Sequence, residues 1–299
     1  MPSRRGRLQR ICAPVAVGGS AAASTATPAP ALTPAQRDDF DSSGFLILPG
    51  AVSGPELAKF RALASGLVER ASTLEEPLSS EAGYSFSLES HEGTIVPGFL
   101  HKVQGVNTCQ VEFNEIARHP SVLPVVQELL GSPELDIFGT KFFPKLPATS
   151  ALPTGGISVN WHQDNFAFGD DVQADRAKQE RIISLAIYLD DSDHENGCFQ
   201  LVPGSHRHGF LPPPAPVSQN SAGLQPQDLA LPDGADPLEG PLPVPCAAGT
   251  VVLFSANLLH SALPNRSDRS RYGLFWHYLP RDFQPANFLS GGYSDRHEL

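Results

Sequence analysis

Residues 157–164 read Ile-Ser-Val-Asn-Trp-His-Gln-Asp, and 250–260 read Thr-Val-Val-Leu-Phe-Ser-Ala-Asn-Leu-Leu-His. Both are short, rich in β-branched and aromatic residues, and end on groups able to hold a metal, so they predict strands that deliver side chains to a site. The first of these strand-like segments is expected to run over 157–168, and similar ones recur at 137–143, 182–189, 199–203 and 272–279, each bounded by Gly, Pro, Asn or Asp. Upstream the period changes. Thr33-Pro34-Ala35-Gln36 has the form of a capping box with Pro at the first helical position, and Gly44 stops that helix. Ser53-Gly54-Pro55-Glu56 repeats the signal before Leu57, Phe60, Ala64, Leu67 and Val68, which share one helical face. A third helix is expected over 120–130, capped by Gly131. Helices first and many short strands afterwards predict an α+β domain around a jelly-roll or cupin-like barrel with flanking N-terminal helices.

Within the first stretch, His162 and Asp164 stand two residues apart, so on a strand both point to one face. That pair alone proves little in a chain with ten His and 32 acidic residues. His260, closing the second stretch, changes the reading. Two His and one carboxylate meeting from two strands form a facial triad that leaves coordination positions open for chemistry on iron(II). A structural zinc site would close its tetrahedron with four ligands, usually including Cys, and no Cys lies near these residues. Arg271 opens the next strand. Beside the strand of His260 its guanidinium fork could enter the barrel and pair with a carboxylate. With Arg266 and Arg269 close by, an ordinary surface role stays open.

Composition limits the alternatives. The 299 residues suit one sizeable domain, and a net charge of -11 excludes the phosphate-driven affinity of a nucleic-acid binder. No apolar run is long enough to span a bilayer. Cys12, Cys109, Cys198 and Cys246 lack C-x-x-C spacing and read as reduced thiols of a soluble intracellular, cytoplasmic protein. Residues 1–31, with four Arg and no acidic residue, read as a disordered tail, an organelle transit peptide or a twin-arginine signal. The folded domain is then 32–299. Between 211 and 245 lie ten prolines, so 207–245 is expected to be a long loop. It is either a lid carrying Phe210, Leu211, Val217, Leu224, Leu229 and Leu231 over a substrate or a solvated insertion.

With these residues in place, the chain resembles the phytanoyl-CoA dioxygenase family of 2-oxoglutarate-dependent oxygenases. The resemblance is carried by Trp161-His162-Gln163-Asp164, Glu195-Asn196-Gly197-Cys198, Val202-Pro203-Gly204-Ser205-His206, and Gly249-Thr-Val-Val-Leu-Phe with His260, Asn265 and Arg271. It implies a double-stranded β-helix in which His162, Asp164 and His260 bind Fe(II) and Arg271 binds the distal carboxylate of 2-oxoglutarate. It also implies that Lys102, in Lys102-Val103-Gln104, lies near the co-substrate. Oxygen is then the second substrate, ascorbate a supporting reductant, and the outcome hydroxylation of a small organic or lipid-like molecule with release of succinate and CO2. Desaturation or cyclisation by the same chemistry stays open. Asp164 argues against halogenases, which have a small residue there. Two departures stand out: Ser261-Ala262 follows the distal His where many members have Gly-Ser, and the chain ends His-Glu-Leu instead of in a Ser-Lys-Leu type address. Rival readings are a non-catalytic barrel that binds a small ligand or partner, and a cupin-type metal hydrolase or isomerase, which would not need Arg271. The substrate and the oligomeric state are not legible.

Overall fold

The computed structural model describes residues 31–153, 155–211, 226, 229, 231, 232, 234–285 and 295–299. The tail expected over 1–31, and Val217 and Leu224 of the proline-rich segment, lie outside the described residues, apart from residue 31. Helix α1 is Pro34–Ser43, with the capping box formed by Thr33 and Gln36 and Gly44 closing it at φ 85°. Helix α2, Gly54–Ala71, has Ser53 at its N-cap without the side-chain bond that its sequence suggested. Helix α3 is Leu123–Leu130, ended by Gly131 at φ 61°. No helix among the described residues is long and apolar enough to cross a membrane.

The strands are β1 (Phe45–Leu48), β2 (Leu78–Ser79), β3 (Ser85–His91), β4 (Thr94–Gln104), β5 (Leu135–Lys145), β6 (Val159–His162), β7 (Ile183–Tyr188), β8 (Phe199–Leu201), β9 (Leu242–Val244), β10 (Val251–Ser255), β11 (His260–Ala262), β12 (Arg271–Pro280) and β13 (His297–Glu298). The larger sheet runs β1-β10-β7-β12-β5-β4-β3-β2, with β13 also on β5, and the smaller one runs β6-β11-β8-β9. From β5 onward the chain passes back and forth between the sheets, which is the winding of a double-stranded β-helix. Its neighbours in the larger sheet are all antiparallel.

Alternation along the strands sorts the side chains into two compartments. Ile183, Leu185 and Ile187 of β7, and Leu274, Trp276 and Tyr278 of β12, face the helices and join Phe60, Ala64 and Leu67 in one core. The residues between them face the other sheet. Ala186 and Tyr188 pack there with Phe199, Leu201, Val252 and Phe254. By the same parity Ser184, Arg271, Gly273 and His277 point into the barrel. The fold thus fixes which residues can meet in its interior.

Two strand expectations were too long. The segment expected over 157–168 is a strand only as far as His162, and Asp164–Phe168 is a 3-10 turn. His260 does not close the strand of 250–260; β10 ends at Ser255, and His260 opens β11 in the opposite sheet. The continuous apolar pattern hides a switch of sheets at Ala256-Asn257-Leu258. Accordingly β12 does not pair beside the strand of His260 but faces it across the barrel, between β7 and β5. Strand β9 falls inside the segment read as one loop.

Gly249 closes the turn into β10. Its N–H donates to Tyr188 O at 2.7 Å and its carbonyl accepts from Val52 N at 3.1 Å. At φ +80° a Cβ there would lie 1.9 Å from Val52 O. Gly249→Ala is therefore expected to destabilise the protein by about 1–3 kcal/mol of backbone strain or more, read as a lowered midpoint in urea unfolding.

Candidate metal centre and co-substrate pocket

His162 and His260 are cross-strand partners on β6 and β11, so their rings meet with centroids 4.1 Å apart. Each ring is oriented by its own backbone. His162 Nδ1 lies 2.7 Å from Asn160 O, and His260 Nδ1 lies 2.8 Å from Leu258 O. A carbonyl can only accept, so Nδ1 carries a proton in both rings, and in the neutral imidazole, the form that binds metal, Nε2 keeps its lone pair. Asp164 Oδ1 stands 3.6 Å from both Nε2 atoms. That is too long for a hydrogen bond. The three ligand atoms lie within 4.8 Å of one another. Three acceptors facing one point with no donor between them repel one another unless a cation sits there, so the donor set fits a metal ion with open positions.

The other Asp164 oxygen is already engaged: Ser184 Oγ donates to Oδ2 at 2.7 Å. Burial acts to raise the Asp164 carboxyl, but the facing His260, His277 and His162 hold it well below the usual carboxylate range. Burial, then the neighbouring His162, pushes His260 down to about 4. At neutral pH, Asp164 is thus ionised and His260 is neutral, the forms that bind metal.

The centre opens on a cavity between the two sheets. Phe143, Phe199, Phe254 and Phe275 form much of its wall, and Lys141, Lys145 and Arg271 contribute basic groups, with burial pushing both lysines down. Arg271 is 1% exposed, and its Nε and Nη1 have no hydrogen-bond partner. Its guanidinium lies over the Tyr188 ring at 5.2 Å. Gly273 makes this possible, because a Cβ there would come within 2.7 Å of Arg271 Nη1 and 2.9 Å of the Phe275 ring. A buried guanidinium with free donors calls for an anion of matching geometry, and a carboxylate supplies it. Lys145, the cross-strand partner of Arg271, is differently placed, since its Nζ donates to Ile157 O at 2.7 Å and to Leu263 O.

Lys102 does not lie on the cavity wall. It sits on β4, where burial and the adjacent Lys141 push its pKa down to about 8. Lys141, which occupies the wall, was not singled out in the sequence, and neither were Lys145, Ser184, Tyr188 and His277. Strand parity sets them on the face opposite the helices, a signal that becomes specific only once the second sheet is known to cover that face. Ser261 and Ala262 both line the cavity, with Ser261 Oγ donating to Gln200 Oε1 at 3.3 Å.

The phytanoyl-CoA dioxygenase (PhyH) family profile matches residues 40–273. An ectoine dioxygenase of Stutzerimonas stutzeri is 26% identical over 246 residues, which cover 80% of this chain and 74% of that protein. An L-proline trans-4-hydroxylase of Streptomyces griseoviridis is 26% identical over 271 residues, 83% and 87% of the respective chains. Among solved structures, the epimerase SnoN in complex with Fe3+, alpha ketoglutarate and nogalamycin RO superposes with a TM-score of 0.56 at 21% identity, covering 82% of each chain. This last likeness shows the double-stranded β-helix fold. The chain belongs to the phytanoyl-CoA dioxygenase family and is an iron(II)- and 2-oxoglutarate-dependent dioxygenase.

Proposed function

We propose that this member of the family hydroxylates a small organic molecule at a centre held by His162, Asp164 and His260, with 2-oxoglutarate anchored by Arg271. The observation that carries the reading is the convergence of three ligand atoms, from buried Asp164 and His260 and half-buried His162, on one point, with an unpaired guanidinium on the same cavity. When bound together, iron(II) and 2-oxoglutarate supply dioxygen activation coupled to decarboxylation of the 2-oxo acid to succinate. The chain's own residues do the rest. His162 and His260 present Nε2 lone pairs already aimed by their backbone contacts, so little ordering is left to do on binding. Arg271 receives the distal carboxylate and orients the co-substrate. The aromatic wall keeps water away, which strengthens each charge contact inside.

Relatives that act on ectoine or proline, by their names, support a compact substrate. Phe166, 40% exposed, lies edge-on to His162 with ring centroids 6.1 Å apart, a surface for the apolar part of such a molecule. The segment 207–245 would close the site as a lid. Its described part supports this, because Leu211 and Leu229 pack with Trp161 and Leu259, the neighbours in sequence of His162 and His260.

Three measurements test this reading. Asp164→Ala is expected to lose metal affinity and to retain less than about a tenth of the succinate-forming activity, since two remaining ligands hold a labile ion poorly. Retained turnover would remove Asp164 from the centre. Arg271→Ala should weaken 2-oxoglutarate by more than about tenfold, since loss of a desolvated charge pair costs roughly 2–5 kcal/mol. Arg271→Lys should not restore it fully, lacking the planar fork, and Gly273→Ala should mimic the loss by displacing that fork. Replacing 214–236 with a short Gly-Ser link should preserve metal and 2-oxoglutarate binding while succinate release becomes uncoupled from substrate oxidation. Normal coupling would make the segment dispensable.

A further inference from the structure

We propose that Lys141, His277 and Ser184 are positioning residues that form one directional hydrogen-bond chain, fixing which oxygen of Asp164 meets the metal. The inference rests on the metal assignment above and adds what selects the oxygen. Ser184 Oγ is 2.7 Å from Asp164 Oδ2 and 3.0 Å from His277 Nδ1, and His277 Nε2 is 3.2 Å from Lys141 Nζ. Each contact admits only one direction. An ionised carboxylate can only accept, so the single Ser184 proton goes to Asp164. Ser184 must then accept from His277 Nδ1–H, which leaves the lone pair of the neutral ring on Nε2 to accept from Lys141 Nζ. Every donor along the chain points toward the carboxylate. Oδ2 is thereby occupied, and Oδ1 alone faces His162 and His260. An unoccupied Oδ2 could instead turn toward the ion and fill one of the positions that co-substrate and oxygen need.

The backbone is shaped for this chain. His277 and Ser184 are cross-strand partners on β12 and β7. The pairing of β12 with β5 slips between Phe275 and His277, a β-bulge that re-aims the His277 ring. Opposite it, Gly139 sits at φ +66°, where a Cβ would lie 3.0 Å from His277 Cδ2 and 3.5 Å from Lys141 Nζ. The bulged segment is pinned by buried Asp295, which accepts from Gly139 N at 3.2 Å, Thr140 N at 2.6 Å and Thr140 Oγ1 at 3.0 Å. Phe168 packs edge-on to the His277 ring at 5.3 Å and holds its plane. A core filler would not need a bulge, a left-handed glycine and a buried carboxylate to seat it.

The test reads the chain apart from turnover. In metal-free protein labelled with 15N-histidine, NMR should find His277 as the Nδ1–H tautomer, and Lys141→Met should shift it toward a mixture of both tautomers. Titration with Co(II) should show Ser184→Ala binding at least about tenfold more weakly, as loss of such partners does elsewhere. Its metal-free melting temperature should hold, and Ser184→Thr, which keeps the hydroxyl, should recover affinity. An Nε2–H tautomer in the parent protein, or a Ser184→Ala affinity within about twofold of the parent, would overturn the proposal. Should Ser184→Ala fail to fold, the parent tautomer decides alone. A parent protein that binds no Co(II) would sink the metal assignment, and this inference with it, whatever the tautomer.

Discussion

Inside the barrel, two histidine lone pairs and a carboxylate oxygen are held facing one another, and a guanidinium on the same cavity has donors with nothing to receive them. Each arrangement is unfavourable by itself, because buried polar groups are stable only when satisfied. The surrounding fold has to be stable enough to impose both. It does so with two cores on either side of the larger sheet, so that the residues of β7 and β12 facing the helices supply the burial that their inward-facing neighbours forgo. A ligand that satisfies both ends at once binds only the folded state, and its binding energy then adds to folding stability. A metal ion with a dicarboxylate has that form.

This division of labour explains what the sequence disclosed. His162, Asp164 and His260 became legible together, as two histidines and a carboxylate on two strand-like stretches, whereas the role of Arg271 came from the family resemblance. The capping box of α1 and Gly131 after α3 were legible because two nearby residues decide the first and one glycine the second. Lys141, Lys145, Ser184 and His277 were not, since a polar residue between apolar ones in a strand is also what a solvent-facing position looks like. Only the presence of a second sheet makes that face interior, and this is a tertiary fact. The switch between β10 and β11 was hidden for the same reason: an apolar run looks alike whether it stays in one sheet or crosses to the other. The β3–β4 hairpin escaped because Ser, His, Gly and Glu interrupt its alternation.

The placement of the metal ligands raises one more mechanical question. His162 lies on β6, a four-residue strand at the edge of the smaller sheet, paired on one side only. Asp164 lies just beyond it, where the ladder has ended. Edge strands are the least constrained part of a sheet, yet a metal centre needs its donors held to within about 0.5 Å. Side-chain amides stand in for the missing neighbour strand. Gln163, 3% exposed, donates through Nε2 to Gly209 O at 2.7 Å and to Asn257 O at 2.5 Å, and its Oε1 accepts from Leu211 N at 2.6 Å. Asn165 Nδ2 donates to Asn257 Oδ1 at 2.5 Å, and Asn257 Nδ2 in turn to Gln179 Oε1 at 3.0 Å. The residues flanking Asp164 therefore bind the turn that leads into β11 and the first residues of the proline-rich segment. Rigidity at Asp164 and the position of that segment's base are set by the same few bonds, so a displacement at Gly209–Leu211 would be felt two bonds away at the carboxylate.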